Sequence, residues 1–199
     1  FYADAIKAVD ERLWISASHH IAPLIGEYER TATTVLNAYI APRTVGYLAS
    51  LDARLRELGL SAWCYTGSYQ VPPPTLTGSV RDDIVFVDPI LGLGEIALSD
   101  HRSSQPTLEE FLRIASDVYV AGLISGKGGT LHCHMGSGGR GFEMIDKALD
   151  TAELPARLYH PTHINREDWL FEDAKRLAKR GVTVDLTAFP DDGHTLLAA

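Results

Sequence analysis

The sequence predicts an α/β fold, and more specifically a TIM-type (β/α)8 barrel that lacks about its last βα unit. Apolar runs of strand length alternate with segments of helical period along the chain, a pattern typical of βα units around a parallel sheet. A complete barrel needs about 250 residues, and this chain has 199. We therefore interpret residues 1–199 as a single barrel domain, a fragment of a longer protein. An open, flavodoxin-like sheet is the rival topology.

Seven candidate strands lie at a mean spacing close to that of a βα repeat. Each is a short apolar run that ends near polar residues or a turn. They are Leu13–Ser18, Thr33–Ile40, Leu60–Thr66, Leu93–Ser99, Gly129–His134, Arg157–His163 and Val182–Thr187.

Three helices are predicted between these strands. A leucine stripe from Leu48 to Leu58 has helical spacing, and Gly59 follows it as a C-cap. Thr107 can cap a second helix while Glu110 reaches back to it. A third apolar stripe ends at Gly181.

Composition argues against nucleic acid and membrane partners. The net charge is -8, and the basic residues are scattered rather than clustered. No apolar stretch approaches the roughly 18 residues of a membrane helix. Cys64 and Cys133 each lie in an apolar run, which favours reduced core residues in a cytoplasmic protein. A small soluble molecule is the expected partner.

Two histidines occupy positions suited to a metal. His134 ends the fifth candidate strand and His163 ends the sixth, so a parallel barrel brings both to its carboxyl-terminal rim. Imidazole is a common zinc ligand. Glu95 lies within the apolar run of the fourth strand, where a charge is costly unless it is paired or bound to metal.

Each of these residues also has a simpler interpretation. A histidine at a strand end is often only a half-exposed hydrogen-bonding side chain, and Glu95 is unremarkable if its strand starts later. The polar residues that follow three successive strands favour a site over these alternatives. They are Asp100, His101, Arg102, Ser137, Asn165 and Arg166.

Several blocks of the sequence resemble the isoaspartyl dipeptidases of the amidohydrolase superfamily in order and spacing. The resemblance extends over roughly residues 45 to 190. The combination of the blocks is specific, whereas any one block alone would be a weak signal. The blocks are Thr66-Gly67-Ser68-Tyr69, Ser99-Asp100-His101-Arg102-Ser103, His134-Met135-Gly136 and Pro161-Thr162-His163-Ile164-Asn165-Arg166.

The resemblance implies a binuclear zinc centre, with one or two ions bound here and His134 and His163 as ligands. The family's bridging ligand is a carboxylated lysine, and Glu95 occupies that position, so a native carboxylate can take its place. Tyr69 is implied to assist at the tetrahedral intermediate. Arg102 and Arg166 are implied to bind substrate carboxylates, which suits the planar guanidinium group. The family also implies a homo-oligomer.

The first part of the chain departs from the family pattern. The family's first strand ends in a His-x-His pair followed by a glutamate. His20 aligns with the second histidine as a metal ligand, and Glu27 aligns with the glutamate, which implies binding of a substrate amino group. Ser18 replaces the first histidine, and the substrate loop after the second strand is not recognisable. The family's catalytic aspartate belongs to an eighth strand, which we expect outside this chain.

The resulting hypothesis is a zinc-dependent amidohydrolase that cleaves the amide bond of β-aspartyl dipeptides or related acyl-amino acids. A hydrolase for cyclic amides or N-acyl amino acids is a second interpretation. A catalytically degenerate barrel that only binds acidic small molecules is a third, and the serine at position 18 favours it.

Overall fold

The computed structural model describes residues 2–21 and 27–188 of the chain. The contacts among its residues divide the chain into two units, residues 1–62 and residues 63–199. Within the described ranges, no helix is both long enough and apolar enough to cross a membrane. The first two candidate strands fall in the first unit.

The regular elements in the described part of the first unit are all helices. Its elements are α1 (Tyr2–Val9), α2 (Ser18–Ile21) and α3 (Glu27–Glu57), which contains Pro42. The apolar side chains of α3 are spread around the helix instead of forming one stripe, so the helix offers no single face to a core. None of the described side chains in this unit is fully buried.

Two of the predicted strands are wrong, because Leu13–Ser18 has no regular structure before α2 begins and Thr33–Ile40 lies inside α3. The β-branched residues of the second segment favour a strand. Propensity differences amount, however, to only about 0.5 kcal/mol per residue, and the flanking residues continue the helix. Thr34 is accommodated by donating its hydroxyl to the carbonyl oxygen of Arg30 at 2.7 Å.

The end of α3 agrees with the predicted C-cap. Gly59 has a left-handed backbone with φ of 73°. The amide of Leu60 donates to the carbonyl of Leu55 at 2.9 Å, and the amide of Gly59 donates to that of Arg56 at 2.9 Å. This pair of bonds is a Schellman motif, which satisfies carbonyl groups that the helix itself leaves free.

The second unit contains a four-stranded parallel sheet with the strands in sequence order. Its strands are β1 (Cys64–Thr66), β2 (Ile90–Leu98), β3 (Thr130–Met135) and β4 (Tyr159–Thr162). Each lies within or overlaps a strand predicted from the sequence. The order shows no reversal, unlike a flavodoxin-like sheet, and is consistent with part of a TIM-type domain.

Helices connect the parallel strands, as this topology requires. They are α4 (Val80–Phe86), α5 (Leu108–Ser125) and α6 (Glu143–Thr151), with α7 (Asp168–Lys179) after β4. The predicted capping box of α5 is confirmed, because Thr107 and Glu110 bond reciprocally. The predicted stop of the third helix is confirmed by Gly181, whose φ is 92°. The helices pack apolar side chains such as Phe111 and Leu170 against the sheet in one core.

The last candidate strand, Val182–Thr187, runs beside β4 without forming a regular strand. The amide of Asp185 donates to the carbonyl of Pro161 at 3.2 Å, and the amide of Ile164 donates to that of Asp185 at 3.4 Å. These two bonds hold the segment against the sheet. The interpretation of the whole chain as one barrel domain stays a prediction.

Asp83 on α4 is a buried carboxylate that ties the loop after β1 to the helix. It accepts hydrogen bonds from the hydroxyl of Thr66, from the amides of Leu76 at 2.9 Å and Thr77 at 2.8 Å, and from the Thr77 hydroxyl at 2.7 Å. Burial raises the pKa of Asp83, but these hydrogen bonds outweigh burial and lower it overall. The charged form therefore stabilises the fold.

We expect Asp83→Asn to lower the free energy of unfolding by roughly 2–3 kcal/mol at pH 7, because a charged acceptor of several hydrogen bonds is lost. Since the folded-state pKa is depressed, the contribution is complete above the unfolded-state pKa of about 3.9 and is lost as pH falls through the folded value. Urea unfolding of wild type and variant between pH 3 and 7 measures this. The difference should shrink only at the acidic end. The exposed Asp88→Asn is the control, and an equal loss there would contradict the assignment.

Candidate functional site

Polar side chains collect at the carboxyl-terminal edge of the parallel sheet. Tyr69 lies three residues after β1, Asp100 two residues after β2, and His163 directly after β4, while His134 is the penultimate residue of β3. Because the four strands are parallel, these positions meet at one edge. This is the arrangement that the sequence predicted for them.

Glu95 lies within β2, as predicted, and not in a preceding turn. Its side chain is half-buried, and the register with β3 shifts between Leu93 and Ile96, which bracket it. The neighbouring Gly94 allows a close approach of the two strands, since a Cβ there would lie 2.5 Å from the Cβ of His132. The carboxylate of Glu95 faces His134 and His163.

Glu95, His134 and His163 bring one carboxylate oxygen and two imidazole nitrogens together. Oε2 of Glu95 lies 2.7 Å from Nδ1 of His134 and 3.7 Å from Nε2 of His163. All three donor atoms lie within 4.8 Å of one another. One oxygen and two nitrogen ligands suit zinc, so the residues present fit a metal centre.

Burial lowers the pKa of His134, and the nearby charge of Glu95 only partly opposes this effect. Contributions from His163 and Arg166 lower the pKa further. The imidazole of His134 is almost completely buried. A neutral imidazole is the form that binds a metal.

Nε2 of His134 faces two groups of opposite character. Nη2 of Arg102 lies 2.8 Å away and can only donate, whereas Oδ2 of Asp100 lies 3.4 Å away and accepts. Asp100 also accepts two bonds from the Arg102 guanidinium, at 2.9 and 2.8 Å. The Arg102 guanidinium holds the pKa of Asp100 well below its usual range, so this carboxylate stays charged.

Tyr69 reaches the same point from the loop after β1. Its hydroxyl lies 3.0 Å from Nδ1 of His134, and the two rings are 4.5 Å apart. Burial and the charge of Glu95 raise the pKa of Tyr69, although Arg102, whose guanidinium lies over the ring, opposes this. The phenol therefore keeps its proton at neutral pH and can donate it in a hydrogen bond.

His163 is held in a left-handed backbone conformation with φ of 62°. Such a conformation costs a non-glycine residue about 1 kcal/mol, so other contacts must maintain it. Nδ1 of His163 contacts the hydroxyl of Thr187. Asn165 donates to the carbonyl of Thr187 at 2.8 Å and accepts from its amide at 2.9 Å. These contacts leave Nε2 of His163 turned toward Glu95.

Arg166 carries a buried nitrogen without a protein partner. Within the described part of the chain, its Nε has no hydrogen bond. Its charge acts on His134, which places it near the histidines. A buried guanidinium nitrogen left unpaired costs free energy unless a ligand satisfies it.

Two other predicted residues belong to the first unit. His20 is exposed on α2 and Glu27 is the first residue of α3, so the strand predicted to precede them is absent from the described residues. Their proposed roles stay predictions. Sequence reasoning missed Thr187 as a partner of His163, and it missed Asp185 as a partner of His132 and His160. Asp185 carried a usable signal, because it is a charge within an apolar run, as Glu95 is.

The loops after β2 and β3 pack closely behind the site. A Cβ on Gly136 would lie 2.5 Å from the Cβ of Asp100 and 2.6 Å from its Cα. Glycine is therefore needed at this point for Asp100 to reach His134.

Two crystal structures of a β-aspartyl dipeptidase from Fervidobacterium islandicum AW-1 resemble this chain. The first, in complex with β-Asp-Leu dipeptide, matches 74% of the chain at 50% identity with a TM-score of 0.68. The second matches 71% of the chain at 50% identity with a TM-score of 0.66. This chain spans 40% of the length of each of these proteins. No protein-family model matches it.

Two curated relatives match shorter stretches. The α subunit of a caprolactamase from Pseudomonas jessenii is 39% identical over 54 residues, which is 27% of this chain and 8% of the relative. An uncharacterized protein of Methanocaldococcus jannaschii is 36% identical over 62 residues, or 31% of this chain and 9% of the relative.

A parallel sheet that brings together a carboxylate and two imidazoles, together with these likenesses, supports the amidohydrolase superfamily as the class. Over the part of its length that the two crystal structures match, the chain is similar to the β-aspartyl, or isoaspartyl, dipeptidases. The resemblance predicted from the sequence is thereby confirmed.

We expect Gly136→Ala to lower the free energy of unfolding by roughly 1–3 kcal/mol, because the added methyl overlaps the backbone of Asp100. Gly139→Ala is a matched control, since nothing lies within 4 Å of a Cβ there. Its effect should stay within about 0.5 kcal/mol. Chemical unfolding followed by circular dichroism measures both. Equal effects of the two variants would contradict the close packing of these loops.

Proposed function

We propose that this chain is part of a metal-dependent hydrolase that cleaves the amide bond of β-aspartyl dipeptides. The observation that carries the proposal is the convergence of Glu95, His134 and His163, with the Tyr69 hydroxyl 3.0 Å from His134. The likeness to a β-aspartyl dipeptidase structure that holds β-Asp-Leu supports the choice of substrate. The parallel sheet would be part of a (β/α)8 barrel.

Zinc is the metal proposed for this centre. Glu95, His134 and His163 would hold it, with Glu95 supplying the carboxylate that can bridge two ions. When bound, zinc polarises a carbonyl oxygen and lowers the pKa of water toward neutrality. Among the described residues, these three combine one carboxylate and two imidazoles near the carboxyl-terminal edge of the sheet.

Asp100 would hold Arg102 in place beside His134. Asp100 accepts two bonds from the Arg102 guanidinium, and Nη2 of Arg102 lies 2.8 Å from Nε2 of His134. Groups behind a histidine ligand fix the orientation of its ring in this way. The buried position of Asp100 and its bond to Arg102 support this role.

Tyr69 would stabilise negative charge on the substrate oxygen. Its raised pKa keeps the hydroxyl protonated, and its position next to Glu95 and His134 directs that hydroxyl toward the reacting bond. A hydrogen-bond donor that is already positioned where negative charge develops stabilises the transition state more than a donor that must reorient.

Arg102 and Arg166 would bind the two carboxylates of a β-aspartyl dipeptide. Asp100 engages Nε and Nη2 of Arg102, and the structure gives Nη1 no hydrogen-bond partner among the described residues. Arg166 brings an unpaired buried Nε. A dipeptide with two carboxylates matches two guanidinium groups.

A hydrolase for cyclic amides is the second candidate. The short match to a caprolactamase subunit favours it, since caprolactam is a cyclic amide. The two arginines favour the dipeptide, because a simple lactam has no carboxylate for them to bind.

We expect Glu95→Gln to lose β-Asp-Leu hydrolysis by at least about a hundredfold and to lower the bound zinc, because an amide neither bridges nor neutralises metal ions well. Metal content and hydrolysis should be measured on the same samples of the full-length protein. Glu153→Gln, on an exposed loop, is the control and should change neither. Retained zinc and activity in Glu95→Gln would overturn the proposed centre. Activity on caprolactam without activity on β-Asp-Leu would favour the second candidate.

We expect Arg166→Met to raise KM for β-Asp-Leu about 10- to 100-fold with a smaller change in kcat, because a hydrogen bond to a charged group contributes about 1.5–3 kcal/mol to binding. Arg166→Lys should recover only part of the loss, since an ammonium group lacks the planar fork. Steady-state kinetics measure both values. The exposed Arg113→Met is the matched control. A loss confined to kcat would argue against carboxylate binding by Arg166.

A further inference from the structure

A second group of potential metal ligands lies one level deeper in the sheet than the candidate centre. His132 precedes His134 by two residues, so both side chains lie on the same face of β3. His160 on β4 is the direct register partner of His132. Asp185, in the segment held beside β4, completes the group.

The separations in this group are those of ligands around a common ion. Oδ2 of Asp185 lies 3.6 Å from Nε2 of His132 and 3.5 Å from Nε2 of His160. Both distances exceed the roughly 2.7–3.2 Å of a hydrogen bond between nitrogen and oxygen. Ligands about 2.0–2.1 Å from a tetrahedral zinc ion lie about 3.3–3.4 Å apart, which is close to these separations.

The carboxylate of Asp185 is oriented by its other oxygen. The hydroxyl of Thr162, which is buried, donates to Oδ1. Oδ2 is thereby directed at the two imidazoles. Hydrogen bonds that fix a liganding carboxylate in this way are typical of metal centres.

The nitrogen of His132 in this group lacks another partner. Its Nε2 is buried and has no hydrogen bond within the described part of the chain. The ring of Tyr65 lies 4.9 Å from that of His132, and the ring of His160 lies 5.0 Å from it. A buried imidazole nitrogen that faces a carboxylate without bonding to it costs free energy, which a cation between the two groups would offset.

We propose that His132, His160 and Asp185 form a second divalent-metal site, separate from Glu95, His134 and His163. The set of two imidazoles and one carboxylate suits zinc. The ion would join β3, β4 and the segment of residues 182–188, and so support the fold beneath the hydrolytic centre. The inference does not depend on which amide the protein hydrolyses.

Zinc stoichiometry tests the site in four forms of the full-length protein, which are wild type, His160→Gln, His163→Gln and the double variant. Each protein is stripped of metal, dialysed against the same free zinc and assayed by atomic emission. We expect His160→Gln to bind one zinc fewer than wild type, and the double variant one fewer than His163→Gln. Equal zinc binding by wild type and His160→Gln, and by His163→Gln and the double variant, would overturn the second site and leave a metal-free polar cluster.

Because His160→Gln and His163→Gln alter different sites, their zinc contents test the second site and the hydrolytic centre separately. If His163→Gln binds as much zinc as wild type while His160→Gln binds less, the hydrolytic centre fails and the second site stands. Circular dichroism checks the fold of each variant. Asp185→Asn, which keeps an oxygen for the Thr162 hydroxyl, replaces His160→Gln if that variant does not fold.

Crystals of the wild-type protein soaked in zinc provide a measurement that needs no variant. An anomalous difference peak between the three side chains is expected at the zinc absorption edge. Its absence in crystals that show zinc at His134 would overturn the proposal.

Discussion

The burial of ionisable groups at the carboxyl-terminal edge of the sheet is the constraint on which the rest of this unit depends. Glu95 is half-buried and His134 is almost completely buried, in a region where an unpaired charge costs several kcal/mol. Partners must therefore converge on them. Tyr69, Asp100 and Arg102 do so from loops after two different strands. The same surroundings that make isolated charges costly make a bound cation favourable.

Polar side chains also lie further from the carboxyl-terminal edge of the sheet, because side chains alternate between the two faces of a strand. Side chains two positions apart share a face, so β3 presents His132 beneath His134. The parallel register then sets His160 beside His132. Asp185 balances these groups from a segment that forms no regular strand, which explains why that segment stays against the sheet.

The edge is also where the backbone is least regular. Ser99 and His163 have positive φ values of 50° and 62°. Each is maintained by specific bonds, since the hydroxyl of Ser99 accepts from the amide of Gly141 at 2.9 Å and His163 contacts Thr187. Strained residues that neighbouring contacts hold in place are common at sites that must present side chains in a fixed geometry.

The sequence alone determined what depends on near neighbours along the chain. Helix caps, the four observed strands, the placement of His134 and His163 near strand ends and that of Glu95 within a strand follow from short patterns, because capping and alternation act over a few residues. Only the structure showed that Thr33–Ile40 is helical, since its propensity for a strand is weak and the flanking residues continue the helix. The tertiary structure also decided that Asp185 contacts His132 and His160. Asp185 lies far from both histidines in sequence, and such a contact depends on how the strands are brought together in space.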